Sequence, residues 1–173
     1  MDQSNYAPPV DALIEELYGA LRVIAHRERL RVGRPQTLQT TALISETYVK
    51  LSQHAGWNGR EHFLASAATA MRHILVDAAR ARLAQKRGSG EIARQLDDAF
   101  DVSEAADEDV IRIDEALKTL KLLDPRLGTV VECRFFAGYS EEETGRILAI
   151  SDRTVRRDWL QAKAWLFREL QQS

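Results

Sequence analysis

The stretch that decides the fold runs from Gly138 to Arg168 and reads GYSEEETGRILAISDRTVRRDWLQAKAWLFR. Ser140 and Glu143, three residues apart, have the spacing of a capping box. A capping box with Ser140 as the N-cap predicts a helix that begins at Glu141. The helical pattern then breaks just before Ser151, which is a good N-cap for a second helix. Two short helices joined by a tight turn are typical of a helix-turn-helix.

The second predicted helix has two different faces. Apolar residues recur along it at i, i+4, i+7 and i+11, namely Val155, Trp159, Ala162 and Leu166. Arg153 and Arg157 lie roughly opposite this stripe, and Arg156 lies on its flank. Guanidinium groups in this position can pair with guanine edges or phosphates in a major groove. The pattern favours DNA recognition, although an amphipathic hairpin with solvated arginines has the same spacing.

The net charge of −2 over 173 residues hides an uneven distribution. Between Gly88 and Asp109 there are eight acidic residues and one basic residue, Arg94, so this segment carries −7 and the rest of the chain carries +5. The segment also contains Gly88-Ser89-Gly90, and such a composition predicts a flexible linker. Hydrophobic residues make up 45% of the chain, which is enough for a core on each side of the linker.

Helical periodicity accounts for the remaining sequence, and no segment has the pattern of a strand. Helices are predicted at Asp11–Leu30, Thr41–His54, Glu61–Lys86, Val110–Leu123 and Leu127–Ala137. In the third, an apolar stripe that starts at Phe63 is expected to face the core, with Arg72 on the opposite side. The predicted fold is all-α, with two small helical domains (10–87 and 110–172) joined by a flexible acidic linker (88–109). The C-terminal domain contains the helix-turn-helix.

Several classes of protein are disfavoured by the sequence. The single cysteine, Cys133, excludes an internal disulfide and fits a reducing compartment. No signal peptide or membrane span is predicted. The four histidines are scattered without metal-ligand spacing, and no glycine-rich phosphate loop is present. We therefore expect a cytoplasmic protein that is not an enzyme and has no catalytic residues, metal or cofactor.

Three segments together resemble one family. Arg134 to Leu166 match the pattern RFF.GYS..E....L.IS..TV......A...L, and they are preceded by LISETYVKL at 43–51 and by an Ala70-Met71-Arg72-His73 segment within Phe63 to Asp77. In these features the chain resembles the extracytoplasmic-function (ECF) sigma factors, the smallest bacterial promoter-specificity subunits. The C-terminal pattern is shared with other helix-turn-helix regulators, so a DNA-binding regulator that acts without polymerase is the alternative. The N-terminal segments favour the sigma factor.

The resemblance implies core RNA polymerase and promoter DNA as partners. It implies that duplex DNA at the minus-thirty-five element is read by Ser151, Arg153, Thr154, Arg156, Arg157 and Lys163. It places Arg72 and His73 near the minus-ten element, and Asn58 and Arg60 near its unpaired strand, where cationic and stacking contacts are needed. The residues expected to contact core polymerase are Leu43, Glu46, Tyr48, Lys50 and Leu51.

The chain departs from the family pattern at three places. Ser66 and Ala68 stand where aromatic residues are usual, and Ala149 replaces a turn glycine. The third departure lies between Arg29 and Ser45, where the sequence has no acidic residue although the core-docking helix of the family begins with several. Removing carboxylates from a charge-complementary interface is expected to weaken docking.

Hydroxyl groups occupy the region that lacks these acids. A phosphate on Thr40 or Thr41, or on Thr37, would add about −1.5 to −2 charge near a helix N-terminus, where anions are favoured. We therefore expect activation by a Ser/Thr protein kinase, while an N-capping role is the simpler interpretation of these threonines. Sequestration by an anti-sigma factor is the other form of control that the resemblance implies.

Overall fold

The computed structural model describes residues 45–47, 49–51, 53, 58–88 and 101–172. Within these ranges every regular element is helical, which confirms the all-α prediction. Residues 45–47 and 49–51 are helical, and five longer elements follow: α1 (Arg60–Gly88), α2 (Asp101–Leu123), α3 (Pro125–Val131), α4 (Glu141–Leu148) and α5 (Asp152–Gln172). None of the helices in the described ranges is long and apolar enough to cross a membrane. The predicted helix Asp11–Leu30 lies outside them.

Helix α2 begins at Asp101, nine residues before the predicted start at Val110. Acidic residues made this segment resemble a linker, but they are also favourable near a helix N-terminus. In addition, the carboxylate of Asp107 is buried and accepts two hydrogen bonds from Arg82 of α1. The predicted start was therefore wrong, and residues 101–109 are helical. The division of the chain into two domains stays a prediction.

Helix α3 also begins slightly earlier than predicted. Asp124 is its N-cap, because its carboxylate accepts hydrogen bonds from the backbone N–H groups of Arg126 and Leu127 at 3.0 and 3.1 Å. Pro125 occupies the first helical position, where its missing N–H costs no hydrogen bond. A π-helical turn, Glu132–Phe136, continues α3 and ends just before the loop that leads to α4.

Two clusters of buried apolar residues hold the helices together. The first joins the start of the described region and α1 to the π-helical turn and the loop after it: Leu51, Phe63, Leu64, Ala67, Ala68, Met71, Cys133, Ala137 and Tyr139. The second joins α1 to α2, α3, the π-helical turn and α5: Val76, Ala116, Leu117, Leu120, Leu127, Val131, Phe136, Ala162 and Leu166. Residues on the two sides of the predicted linker thus share both clusters.

A glycine makes room for a charged side chain between α2 and α3. A Cβ atom at Gly128 would lie 2.2 Å from Cγ of Lys121, which is closer than atoms can approach. The lysine side chain passes over this glycine, and its ammonium group lies 2.9 Å from both carboxylate oxygens of Glu132. The absence of a side chain at position 128 therefore allows Lys121 to reach a buried carboxylate.

Candidate nucleic-acid interface

Helix α4 starts and ends at residues whose local geometry fixes the turn. The hydroxyl of Ser140 accepts a hydrogen bond from the backbone N–H of Glu143 at 3.1 Å, and the Glu143 carboxylate accepts one from the Ser140 N–H at 2.7 Å. The predicted capping box is confirmed. The helix ends at Ala149, whose φ of 53° and ψ of 42° place it in the left-handed region. A Cβ atom at Gly145 would lie 2.7 Å from the carbonyl oxygen of Ile150, so this position must be a glycine for the turn to be this tight.

Helix α5 is capped and anchored as its sequence predicts. The hydroxyl of Ser151 accepts a hydrogen bond from the Thr154 backbone N–H at 3.2 Å, and Oγ of Ser151 lies 2.9 Å from Oγ1 of Thr154. Three residues of the predicted apolar stripe are buried, namely Val155, Ala162 and Leu166. Trp159 is partly buried against the second cluster. The back of α5 is therefore fixed to the rest of the molecule.

The opposite side of α5 carries the predicted cations. Arg153, Arg156, Arg157 and Lys163 are all exposed. The guanidinium of Arg156 donates a hydrogen bond to the Glu141 carboxylate of α4 at 3.0 Å. The ammonium of Lys163 lies 5.4 Å from the centre of the Trp159 ring, within the range of a cation–π contact. An anchored helix with exposed cations on its first turns can contact phosphates and base edges.

A buried carboxylate, Asp158, lies on the back of the same helix. Nε of Arg126 lies 2.9 Å from its Oδ2 atom without the alignment of a hydrogen bond, so this contact is an ion pair. Arg157 donates to its Oδ1 atom at 3.2 and 3.3 Å. Sequence reasoning missed this residue, although an acid beside an apolar stripe was a signal for a buried pair. The contact ties the start of α3 to α5.

Arg72, which the resemblance places near the minus-ten element, is buried in the structure. It was expected on the side of α1 opposite the apolar stripe, and only 5% of it is exposed. Its guanidinium donates hydrogen bonds to Asp114 of α2 at 2.7 Å and to Glu132 of the π-helical turn at 2.8 Å. Burial alone would lower the pKa of Arg72, but the bonds to these two carboxylates outweigh it and raise the pKa. Arg72 is therefore buried between helices because its two carboxylate partners, which are distant in sequence, lie on α2 and the π-helical turn.

The other N-terminal candidates are distributed along α1 and the segment before it. Asn58 and His73 are exposed and Arg60 is partly exposed. Thirteen residues separate Arg60 from His73 on one helix, or about 20 Å along its axis, so the structure does not bring them together. Of the predicted polymerase contacts, Glu46 and Lys50 are exposed and Leu51 is buried. The remaining candidates lie outside the described residues: Leu43, Tyr48, Thr37, Thr40 and Thr41.

Further ion pairs between α1 and α2 were not predicted, because no local pattern signals them. The guanidinium of Arg82 donates to both carboxylate oxygens of Asp107 at 2.6 and 2.8 Å, and these bonds raise the pKa of Arg82 against the opposing effect of burial. Burial alone would raise the pKa of Asp114, but hydrogen bonds from Arg72 and Lys118 outweigh it and lower the pKa. The facing surfaces of α1 and α2 are therefore charge-complementary.

Comparison with known proteins shows the class to which these features belong. A family model described as "ECF sigma factor" matches residues 6–172, which is nearly the whole chain. The chain belongs to the ECF sigma factor family. Comparison with curated proteins and with solved structures gave no significant match. As an ECF sigma factor, the protein has a role in transcription initiation; members of this family work with core RNA polymerase and promoter DNA, and often with anti-sigma factors.

Proposed function

We propose that this ECF sigma factor binds core RNA polymerase and directs initiation at promoters that it reads at two places. The observation that carries the proposal is the geometry of α5, whose apolar back is buried while its cations are exposed. This helix would enter the major groove of the minus-thirty-five element. The residues proposed to contact duplex DNA are Ser151, Arg153, Thr154, Arg156, Arg157 and Lys163.

The second reading point would be α1 and the residues before it. We propose that Asn58, Arg60, Arg72 and His73 approach the minus-ten element and its unpaired strand. The exposure of Asn58 and His73 supports this role, whereas Arg72 would have to leave its buried ion pairs. Core polymerase would be contacted by Leu43, Glu46, Tyr48, Lys50 and Leu51, of which Glu46 and Lys50 are exposed.

Activation by phosphorylation is part of the proposal. The sequence from Arg29 to Ser45 has no carboxylate with which to meet basic residues of polymerase. A phosphate on Thr40 or Thr41, with Thr37 as the third candidate, would supply about −1.5 to −2 charge and three acceptor oxygens there. Charge complementarity at the interface would then be restored, with a Ser/Thr protein kinase as the activating partner.

A pull-down with bacterial core polymerase tests whether the protein binds polymerase and whether that binding depends on phosphorylation. Three proteins are compared, namely wild type, Thr40→Glu/Thr41→Glu, and wild type treated with a Ser/Thr kinase, and Thr40→Ala/Thr41→Ala serves as a fourth, uncharged control. Retention of the charged forms alone supports the sigma-factor role and the switch. Strong retention of all three, together with unchanged retention of Thr40→Ala/Thr41→Ala, removes the switch and favours control by an anti-sigma factor.

The alternative function is a helix-turn-helix regulator that acts without core polymerase. The exposed cations of α5 would serve this function equally well, because they can bind duplex DNA on their own. The two functions differ in what each protein needs for promoter binding. Tight, sequence-specific binding of duplex DNA without polymerase, together with no retention by core polymerase in any of the three states, would favour the regulator.

A further inference from the structure

A carboxylate of α4 holds one arginine of α5 beside the turn that joins the two helices. Oε2 of Glu141 accepts a hydrogen bond from Nε of Arg156 at 3.0 Å and lies 3.0 Å from Nη2 of the same guanidinium. The two residues are 15 positions apart in sequence, and the tight turn at Ala149 brings them together. The carboxylate therefore faces the edge of the guanidinium that carries Nε and Nη2.

This contact leaves the other edge of the Arg156 guanidinium available. A guanidinium has N–H donors on all three nitrogens, arranged in a rigid, planar fork. Glu141 faces the Nε–Nη2 edge, and no described residue accepts a hydrogen bond from Nη1. The Arg156 side chain is 63% exposed, so its Nη1–Nη2 edge can reach a partner outside the protein. Two parallel donors on such an edge match O6 and N7 of guanine in a major groove.

The neighbouring cation Arg153 has no such support. It is exposed, and it forms neither a hydrogen bond nor an ion pair with any described residue. A guanidinium that is free to rotate can contact a phosphate oxygen from several directions, whereas a bidentate contact with a base requires the guanidinium plane in one orientation. Arg153 is therefore suited to the DNA backbone, and Arg156 is suited to a base edge.

We propose that Glu141 is a positioning residue that fixes Arg156 for recognition of a guanine base, and that it thereby sets part of the promoter specificity. This inference rests on the proposed function, because α5 is the helix that would enter the major groove. Glu141 would not touch the DNA and would act through the orientation of Arg156. Fixing a long side chain before binding lowers the entropy cost of the contact that it makes.

Glu142 is a matched control for the position and charge of Glu141. Both residues lie in the first turn of α4, where a carboxylate is favourable. The ion-pair partner of Glu142 is Arg146 of the same helix, at 3.7 Å, so Glu142 has the same charge without the contact with α5. The pair of Glu141 with Arg156 is itself exposed, at 30% and 63% of the side chains, and such pairs contribute little stability. Substitution of either glutamate should therefore leave the fold intact.

Selection of duplex DNA supplies the sequence that the test needs. A library of duplexes with a randomised segment is selected on the free wild-type protein and, separately, on the holoenzyme formed with the form of the protein that core polymerase retains. Each position of the selected sequence is then changed to the other base pairs, and fluorescence anisotropy measures binding of each duplex. The preference at a position is the ratio of the dissociation constants for the changed and the selected duplex.

Arg156→Ala should abolish a preference for guanine at one position, a loss of about tenfold or more, and should leave the preferences at other positions unchanged. At the same position Glu141→Ala should lower the preference by about threefold or more, because the arginine must then be ordered on binding. Glu141→Gln keeps an oxygen that can accept the Nε–H bond, so it should retain more of the preference. Arg156→Ala/Glu141→Ala should lose no more than Arg156→Ala alone, and Glu142→Ala should keep the wild-type preference.

Equal preferences of Glu141→Ala and Glu142→Ala at every position would overturn the proposal. It would also be overturned if Arg156→Ala weakened binding of all duplexes alike, as the loss of a phosphate contact does, or if the free protein and the holoenzyme selected no sequence. Circular dichroism checks that the helices persist; if Glu141→Ala loses them, Glu141→Gln is compared with Glu142→Gln and should show the lower preference. If core polymerase retains no form of the protein, the proposed function fails, while the duplexes selected on the free protein still decide the role of Glu141.

Discussion

The phenolic hydroxyl of Tyr139 donates a hydrogen bond to the backbone carbonyl of Leu64 at 3.1 Å, across 75 positions of sequence. Both residues belong to the first apolar cluster, and burial raises the pKa of the Tyr139 hydroxyl.

Tyr139→Phe keeps the ring and removes the bond, so the free energy of unfolding should fall by about 1 kcal/mol. Urea denaturation measures it. Ser66→Ala, which removes an exposed hydroxyl bonded within its own helix, should have little effect; equal effects of the two variants would contradict the bond.

The turn between α4 and α5 predicts two substitutions with opposite effects. Gly145→Ala should destabilise the protein, because its Cβ would lie 2.7 Å from the Ile150 carbonyl oxygen. Ala149→Gly should stabilise it by up to about 1 kcal/mol, because Ala149 has a φ of 53°, which is costly for a residue with a Cβ. Thermal denaturation measures both effects.

The control for the turn is Ala164→Gly, at an exposed position within α5. A glycine in a helix interior costs about 0.5–1 kcal/mol, so this variant should lower the melting temperature. If Ala149→Gly lowers the melting temperature to the same extent, Ala149 is not in the left-handed conformation in solution.

The cations of α5 predict a loss of DNA binding that depends on position. Arg153→Ala should weaken binding of a promoter duplex by the polymerase holoenzyme and lower the salt slope by about one, because one phosphate contact is removed. Arg168→Ala makes the same change of charge at an exposed position four turns further along the helix. Fluorescence anisotropy at several salt concentrations compares them. Equal losses from the two variants would indicate general electrostatic attraction rather than docking of the first turns.

The lowered pKa of Asp114 predicts how stability depends on pH. Because the pKa of this carboxyl lies below its usual 3.8 in the folded state, Asp114 stabilises the fold at neutral pH. That contribution is lost as the pH falls below about 4, through the folded pKa. The urea midpoint of Asp114→Asn should therefore be lower than that of wild type at neutral pH and change less on acidification. Asp109→Asn, at an exposed carboxyl, should keep the wild-type pH dependence.

The C-terminal part of the fold could be predicted because its signals are local. Ser140 and Glu143 lie within one turn of the helix that they cap, and Ser151 caps the next helix in the same way. The apolar stripe of α5 likewise follows from a period of 3.6 residues. Each of these features is decided by residues close in sequence, so a single chain is enough to read them.

The packing of α1 could not be predicted in the same way. Arg72 contacts partners 42 and 60 positions away, and no pattern near Arg72 indicates them. The start of α2 at Asp101 was missed for a related reason, since the acidic composition indicated a linker while the partner of Asp107 lies on another helix. Helix propensity and charge patterns describe neighbours in sequence, whereas these contacts depend on tertiary structure.

A side chain at position 128 would change the ion pairs of Glu132, because it would fill the space through which Lys121 passes. Lys121 crosses that space to reach Glu132, which also binds the buried Arg72. A methyl group at position 128 carries no charge, yet it would displace an ammonium group and leave the carboxylate with one cation fewer. Judged from the sequence, Gly128→Ala would be expected to affect packing alone. In the structure its main effect would be the loss of the ion pair between Lys121 and Glu132. Variants of this chain with an alanine at position 128 should therefore be grouped with those that neutralise Lys121.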